Sequence, residues 1–128
     1  MDNESQVRSL IENWAAAVRN RDMEGILAHH ADDIIMFDVP PPFQSAGIAA
    51  YRDTWQTFFK YSKPGVFNFH SLNVIAGEDL AFAVATMWCE DNSDGKGYQH
   101  LDFRLTMGLR KIEDRWMIVH EHHSVPAE

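Results

Sequence analysis

Residues 97–124, GYQHLDFRLTMGLRKIEDRWMIVHEHHS, read as two long β-strands joined by a tight turn at Ile112, Glu113, Asp114 and Arg115. In the first strand Leu101, Phe103, Leu105, Met107 and Leu109 alternate with His100, Asp102, Arg104, Thr106 and Arg110, the period of a strand with two unlike faces. In the second, alternation puts Trp116, Ile118, His120, His122 and Ser124 on one side and Met117, Val119, Glu121 and His123 on the other. Pairing even positions with even positions sets Arg104 near His122 and Thr106 near His120, which gathers Asp102, Arg104, Thr106, His120 and His122 on one face. Trp116 and Ile118 share that face, and the opposite face of the first strand is apolar throughout, so both faces call for cover. Helices of the same chain are expected over the histidines, leaving the polar groups around a cavity, with a second subunit over the leucine stripe.

Outward from this hairpin, the N-terminal half reads as helical. Val7, Leu10, Ile11, Trp14 and Val18 recur at helical spacing over residues 3–20. Asp22 can cap a shorter helix running to His30, with Met23, Ile26 and Leu27 inward. A strand over residues 34–39 ends at Pro40, Pro41 and Pro42, which lack ladder donors, and a loop continues to Gly47. Ile48, Tyr51, Trp55, Phe58 and Phe59 mark a third helix, broken at residues 62–65. Strand-forming runs follow at 66–76 and 80–91, then a polar hairpin loop at 92–97. Helices first and a meander of four strands afterwards indicate an α+β domain, expected to span residues 1–128 as one unit.

The 11 basic and 19 acidic residues give a formal charge of −8, opposing the attraction that nucleic-acid binding requires. No apolar run is long enough to span a membrane and no secretory signal is visible, so neither nucleic acid nor membrane is an expected partner. One cysteine, Cys89, excludes an internal disulfide and fits a reducing, cytoplasmic setting.

Three helices before a long curved sheet, ending in Trp116-x-Ile118-Val119-His120-x-His122-x-Ser124, resemble the NTF2-like superfamily of cystatin-like, cone-shaped α+β domains. The pattern is most similar to its SnoaL-like members and to the association domain of calcium/calmodulin-dependent protein kinase II. The turn at residues 20–22, the entry to the first strand at 31–34 and the Gly47-Ile48 helix start match recurring features of that superfamily. Ketosteroid isomerase is a remoter member, an enzyme whose apolar site keeps one carboxylic acid protonated. By that resemblance Asp38, ending the first strand before a proline-rich loop, stands where the isomerase has its general base. Trp14 stands where it has an oxyanion-hole tyrosine; an indole donates one hydrogen bond but is no phenolic acid. Asp102 is no secure counterpart of the protonated aspartic acid.

Two functional readings stand side by side. In the first, a cofactor-independent isomerase, cyclase or lyase, Asp38 abstracts a proton next to a carbonyl, Arg104 holds an anionic or carbonyl oxygen, and His120 or His122 relays the proton. In the second, a non-catalytic module serves ligand binding or oligomerisation, Arg104 recognising the anionic group of a small organic ligand where one is bound. Trp14, Trp55, Phe59 and Trp88 would supply apolar walls in either reading, with Asp102 and Thr106 beside the ligand. The structural alternatives are a strand-end role for Asp38 and an Asp102–Arg104–His122 network with no ligand. His120 and His122 offer two metal ligands but lack a third at a recognised spacing, so no metal is expected. The leucine stripe with Met117 and Val119 leads to the expectation of a homodimer.

Overall fold

The computed structural model describes residues 1–127 and orders them as α1 (Asn3–Arg19), α2 (Met23–Leu27), β1 (His30–Phe37), β2 (Ser45–Ala46), α3 (Ile48–Tyr61), β3 (Ser62–Ala76), β4 (Leu80–Asp91), β5 (Gln99–Ile112) and β6 (Arg115–Ser124). Asp2 starts α1 by accepting the Ser5 backbone N–H at 2.8 Å, satisfying a donor the helix cannot use internally. Val7, Ile11, Trp14 and Val18 then form its buried stripe, as their spacing predicts. In α3 the buried pair is Tyr51 and Trp55, one turn apart. The second helix stops at Leu27, earlier than expected, because His29 turns into the left-handed region at φ 60° and its carbonyl accepts the Ile118 N–H. His30 thereby becomes the first residue of β1 rather than the last of a helix.

The six strands form one sheet in the order β2-β1-β6-β5-β4-β3. The last four make the expected antiparallel meander, whereas β1 lies parallel to β6 and β2 pairs with β1 inside the stretch read as loop. Helices pack on one face only, over Val74, Ala83, Ala85, Met87, Leu105 and Met107, all buried. Among the described residues no helix is long and apolar enough to cross a membrane.

The turn between β5 and β6 is two residues long, with Ile112 opposite Arg115 and both Glu113 and Asp114 left-handed, at φ 50° and 65°. That twist suits a two-residue hairpin. Next to the turn, Lys111 lies opposite Trp116 and Leu109 opposite Ile118. The register then slips: Gly108 faces His120, Thr106 faces His122 and Arg104 faces Ser124, leaving Val119 as an extra residue on β6. This bulge changes the parity of the strand. Trp116 and Ile118 point into the core on one side of it, Glu121 and His123 on the other, and all four are buried.

The expected faces are therefore reversed. Phe103, Leu105, Met107 and Leu109 are covered by helices, so that stripe is not a surface for a second subunit. Asp102, Arg104, Thr106 and His122 are exposed on the outer face, where His120 and Trp88 lie half-buried. Arg104, Thr106, His120 and His122 share one face as read from the sequence, but it is the uncovered side and the register differs by two: Thr106, not Arg104, faces His122, and Gly108, not Thr106, faces His120, since unbroken alternation ties the histidines to Trp116 and Ile118.

Candidate functional site

A cavity of about 270 Å³ opens between Trp55 and Phe58 on α3, Phe67 on β3, Cys89 on β4, Phe103 on β5 and His123 on β6. Asp38, just past β1, stands on its rim and also borders an adjoining hollow of about 150 Å³ beside the prolines. The Asp38 carboxylate is half-buried, and one oxygen accepts the Val39 N–H at 2.8 Å. Most of the wall is apolar. The charged side chains on it are Asp38 and Asp91, and neither lysine nor arginine is among the lining residues. Burial, reinforced by the charges of Asp91 and Glu90, pushes the Cys89 thiol up to about 12, so it lines the wall as an inert, uncharged group.

Behind this wall the bulge in β6 brings together a buried polar network. Glu121 has no exposure; one carboxylate oxygen accepts from the Tyr51 hydroxyl and from His30 Nε2, each at 2.6 Å, and the other accepts from His123 Nε2 at 2.9 Å. The Tyr51 oxygen accepts in turn from Trp14 Nε1 at 3.1 Å. His30 Nδ1 lies 3.0 Å from the Ala28 carbonyl. Both nitrogens of His30 thus face acceptors, and a neutral ring can donate to one of them. Desolvation raises the Glu121 carboxyl, but hydrogen bonds from His123 and His30 and their charges outweigh it and bring it down from 4.5 to about 2. Tyr51 moves the other way: burial and then the Glu121 charge push its phenol well above its ordinary value, which keeps it a donor.

His123 belongs to both the network and the cavity. Its ring is stacked on Phe103, with centroids 6.1 Å apart and planes 11° from parallel, and meets Trp55 edge-on at 5.8 Å. With Nε2–H committed to Glu121, a neutral ring keeps its lone pair on Nδ1. The Trp55 indole N–H is buried without a hydrogen-bond partner of good geometry, although it lies near enough to the Tyr51 hydroxyl to favour its ionised form slightly.

The family profile of the SnoaL-like domain matches residues 7–128. The chain belongs to the SnoaL-like domain family. No curated protein matches this SnoaL-like chain in sequence. Among solved structures it is similar to an NTF2-like protein of unknown function from Pseudomonas putida, at 38% identity over 98% of this chain and 87% of that one, with a TM-score of 0.86. A ketosteroid isomerase-like protein from Erwinia carotovora shares the fold at 14% identity, 99% and 98% coverage and a TM-score of 0.82. So does a Xanthomonas campestris protein named as a candidate calcium/calmodulin-dependent protein kinase II association domain, at 18% identity, 99% and 91% coverage and a TM-score of 0.79. These likenesses establish the NTF2-like α+β fold, with three helices on a curved sheet.

In this SnoaL-like domain only part of the expected site converges. Asp38 and Trp55 line the cavity. Trp14 stands one layer behind, edge-on to Trp55 at 5.7 Å. Phe59 instead lies under the Arg21 guanidinium, 4.9 Å from it, at a shallow groove by the start of β3. Arg104 does not reach the cavity; its Nε donates to Ser124 Oγ at 3.1 Å on the outer face. The expected Asp102–Arg104–His122 network gives way to Asp102 bound by His70 and His100. Thr106 is exposed, and His120 Nδ1 donates to the Ile35 carbonyl at 2.7 Å, with Phe37 packed edge-on against His120 and His122. Sequence reasoning missed His30, Tyr51, Glu121 and His123. The available signal was Gly108, a glycine inside an otherwise unbroken strand pattern, which marks a bulge in the ladder.

Proposed function

We propose that the cavity binds a small, uncharged, carbonyl-containing molecule and that Asp38 and His123 move a proton on it, the chemistry of a cofactor-independent isomerase or cyclase. The observation that carries this reading is that a rim carboxylate and a histidine oriented by a buried glutamate line the same apolar cavity. Asp38, with one oxygen anchored on Val39, has the other free to take a proton next to the carbonyl. His123 is the second group able to give or take one. The acidic lining disfavours the anionic ligand expected from the sequence, because that expectation relied on Arg104. Kinship with a ketosteroid isomerase-like protein supports the reaction class only as a likeness of fold.

The test is a panel of small cyclic ketones, with binding followed by thermal shift and α-carbon deuterium exchange followed by NMR in heavy water. Saturable binding with exchange faster than in buffer is the expected result. Binding without enhanced exchange for any member would leave a ligand-binding module and remove the enzyme.

A second reading concerns assembly and starts from the outer sheet face, where Phe82 and Val84 on β4 are 46% and 45% exposed beside Ile75 on β3. This patch, and not the leucine stripe, is the surface we assign to a homodimer. Sedimentation at micromolar concentration is expected to give a species of twice the chain mass, and Val84→Glu to shift it to the monomer. A wild-type monomer at that concentration would end the dimer reading.

A further inference from the structure

On the outer face, away from the cavity, His70 of β3 and His100 and Asp102 of β5 converge across β4. His100 and Asp102 are two residues apart on one strand and so project to the same side. His70 reaches them because the β3 ladder is irregular between Phe69 and Ser71, which lets His70 and Ser71 both face outward. His70 Nε2 and His100 Nε2 lie 2.8 and 2.6 Å from the same carboxylate oxygen, Asp102 Oδ1. All three atoms fall within 4.8 Å of one another. Trp88, on the intervening strand, stacks on the His100 ring at 5.1 Å with planes 22° apart and fixes its orientation.

We propose that His70 Nε2, His100 Nε2 and Asp102 Oδ1 form a binding site for a divalent first-row transition metal such as zinc. Two imidazoles and one carboxylate are a donor set that zinc and its neighbours accept, with the remaining positions left to water. Metal–ligand distances of about 2.0–2.2 Å place neighbouring donor atoms about 3–3.5 Å apart, so small side-chain rotations would admit the ion without moving a strand. On metal binding at Nε2 each ring proton would move to Nδ1, leaving both imidazoles neutral. The site differs from the His120 and His122 pair considered in the sequence, and it is independent of the cavity reading. It is also separate from the Val84 patch, four residues or about 13 Å along β4.

The experiment uses the full, tag-free chain after dialysis against a chelator, titrated with zinc by calorimetry and with cobalt(II) by visible absorption. One ion per chain in the micromolar range is expected. His70→Ala, His100→Ala and Asp102→Asn should each weaken binding at least about tenfold, since loss of even an outer hydrogen-bond partner of a metal ligand commonly costs 10- to 100-fold. All three side chains are exposed, so these variants should keep the wild-type circular dichroism and melting curve. His122→Ala should bind as wild type does. Absence of saturable binding, binding unchanged in the three variants, or binding lost with His122→Ala would each overturn the proposal.

Discussion

Glu121→Ala is expected to lower the unfolding free energy by about 3–5 kcal/mol, the usual result of removing one member of a buried charge-paired set. Three donors, from Tyr51, His30 and His123, would lose at once an acceptor that is itself fully buried. Glu121→Gln should cost less, about 1–3 kcal/mol, because its oxygen can still serve Tyr51 and His30 while its NH₂ can donate to His123 Nε2 once that ring's proton moves to Nδ1. The network also gives acid lability with a definite sign. A carboxyl lowered from 4.5 to about 2 on folding contributes stability that is fully present above 4.5 and is lost as the pH falls towards 2. At 1.36 kcal/mol per pH unit, that drop corresponds to roughly 3 kcal/mol. Urea denaturation at pH 7 and pH 3 checks both statements: the wild type should lose stability between the two, and Glu121→Ala should lose correspondingly less. A loss below about 1 kcal/mol in the alanine variant at pH 7 would mean that the network does not stabilise the fold.

The second large effect belongs to Asp38. If it takes the proton from a bound ketone, Asp38→Asn should slow α-carbon exchange roughly a hundredfold or more while leaving affinity within a few-fold, because the amide keeps the shape and loses the base. His123→Asn, which removes the cavity-wall group that reaches the network, should lower the rate as well. Glu121→Gln tests orientation separately: it should slow exchange with little change in the Kd measured on the folded variant. A ketone exchanged at the wild-type rate by Asp38→Asn would eliminate Asp38 as the base, whatever that variant does to binding.

The helical stripes of α1 and α3, the strand breaks at the prolines and the final hairpin were legible because each rests on local periodicity. The face that the hairpin presents inward was not. Alternation correctly groups Glu121 with His123 and His120 with His122, but it ties the second pair to Trp116 and Ile118, and the single residue Val119 cuts that tie. Buried partners from distant segments were equally out of reach, since nothing near His30 or Tyr51 in sequence shows that Glu121 lies against them. Asp38 and Trp55 border the cavity because they sit at a strand end and on a helix stripe, positions that survive the reversal of the sheet.

One inserted residue in β6 therefore decides which chemistry faces the interior and which faces the outside. Downstream of Val119 two interleaved sets alternate, one of Glu121 and His123 and the other of His120, His122 and Ser124. Removing that residue would exchange them wholesale, turning out the acid that orients His123 and turning in the neighbouring imidazoles. Substitutions can alter either set only one side chain at a time. Between related chains of this fold, a gap of one position in an alignment of the last strand would then mark a change of interior lining more sharply than many differences of residue type.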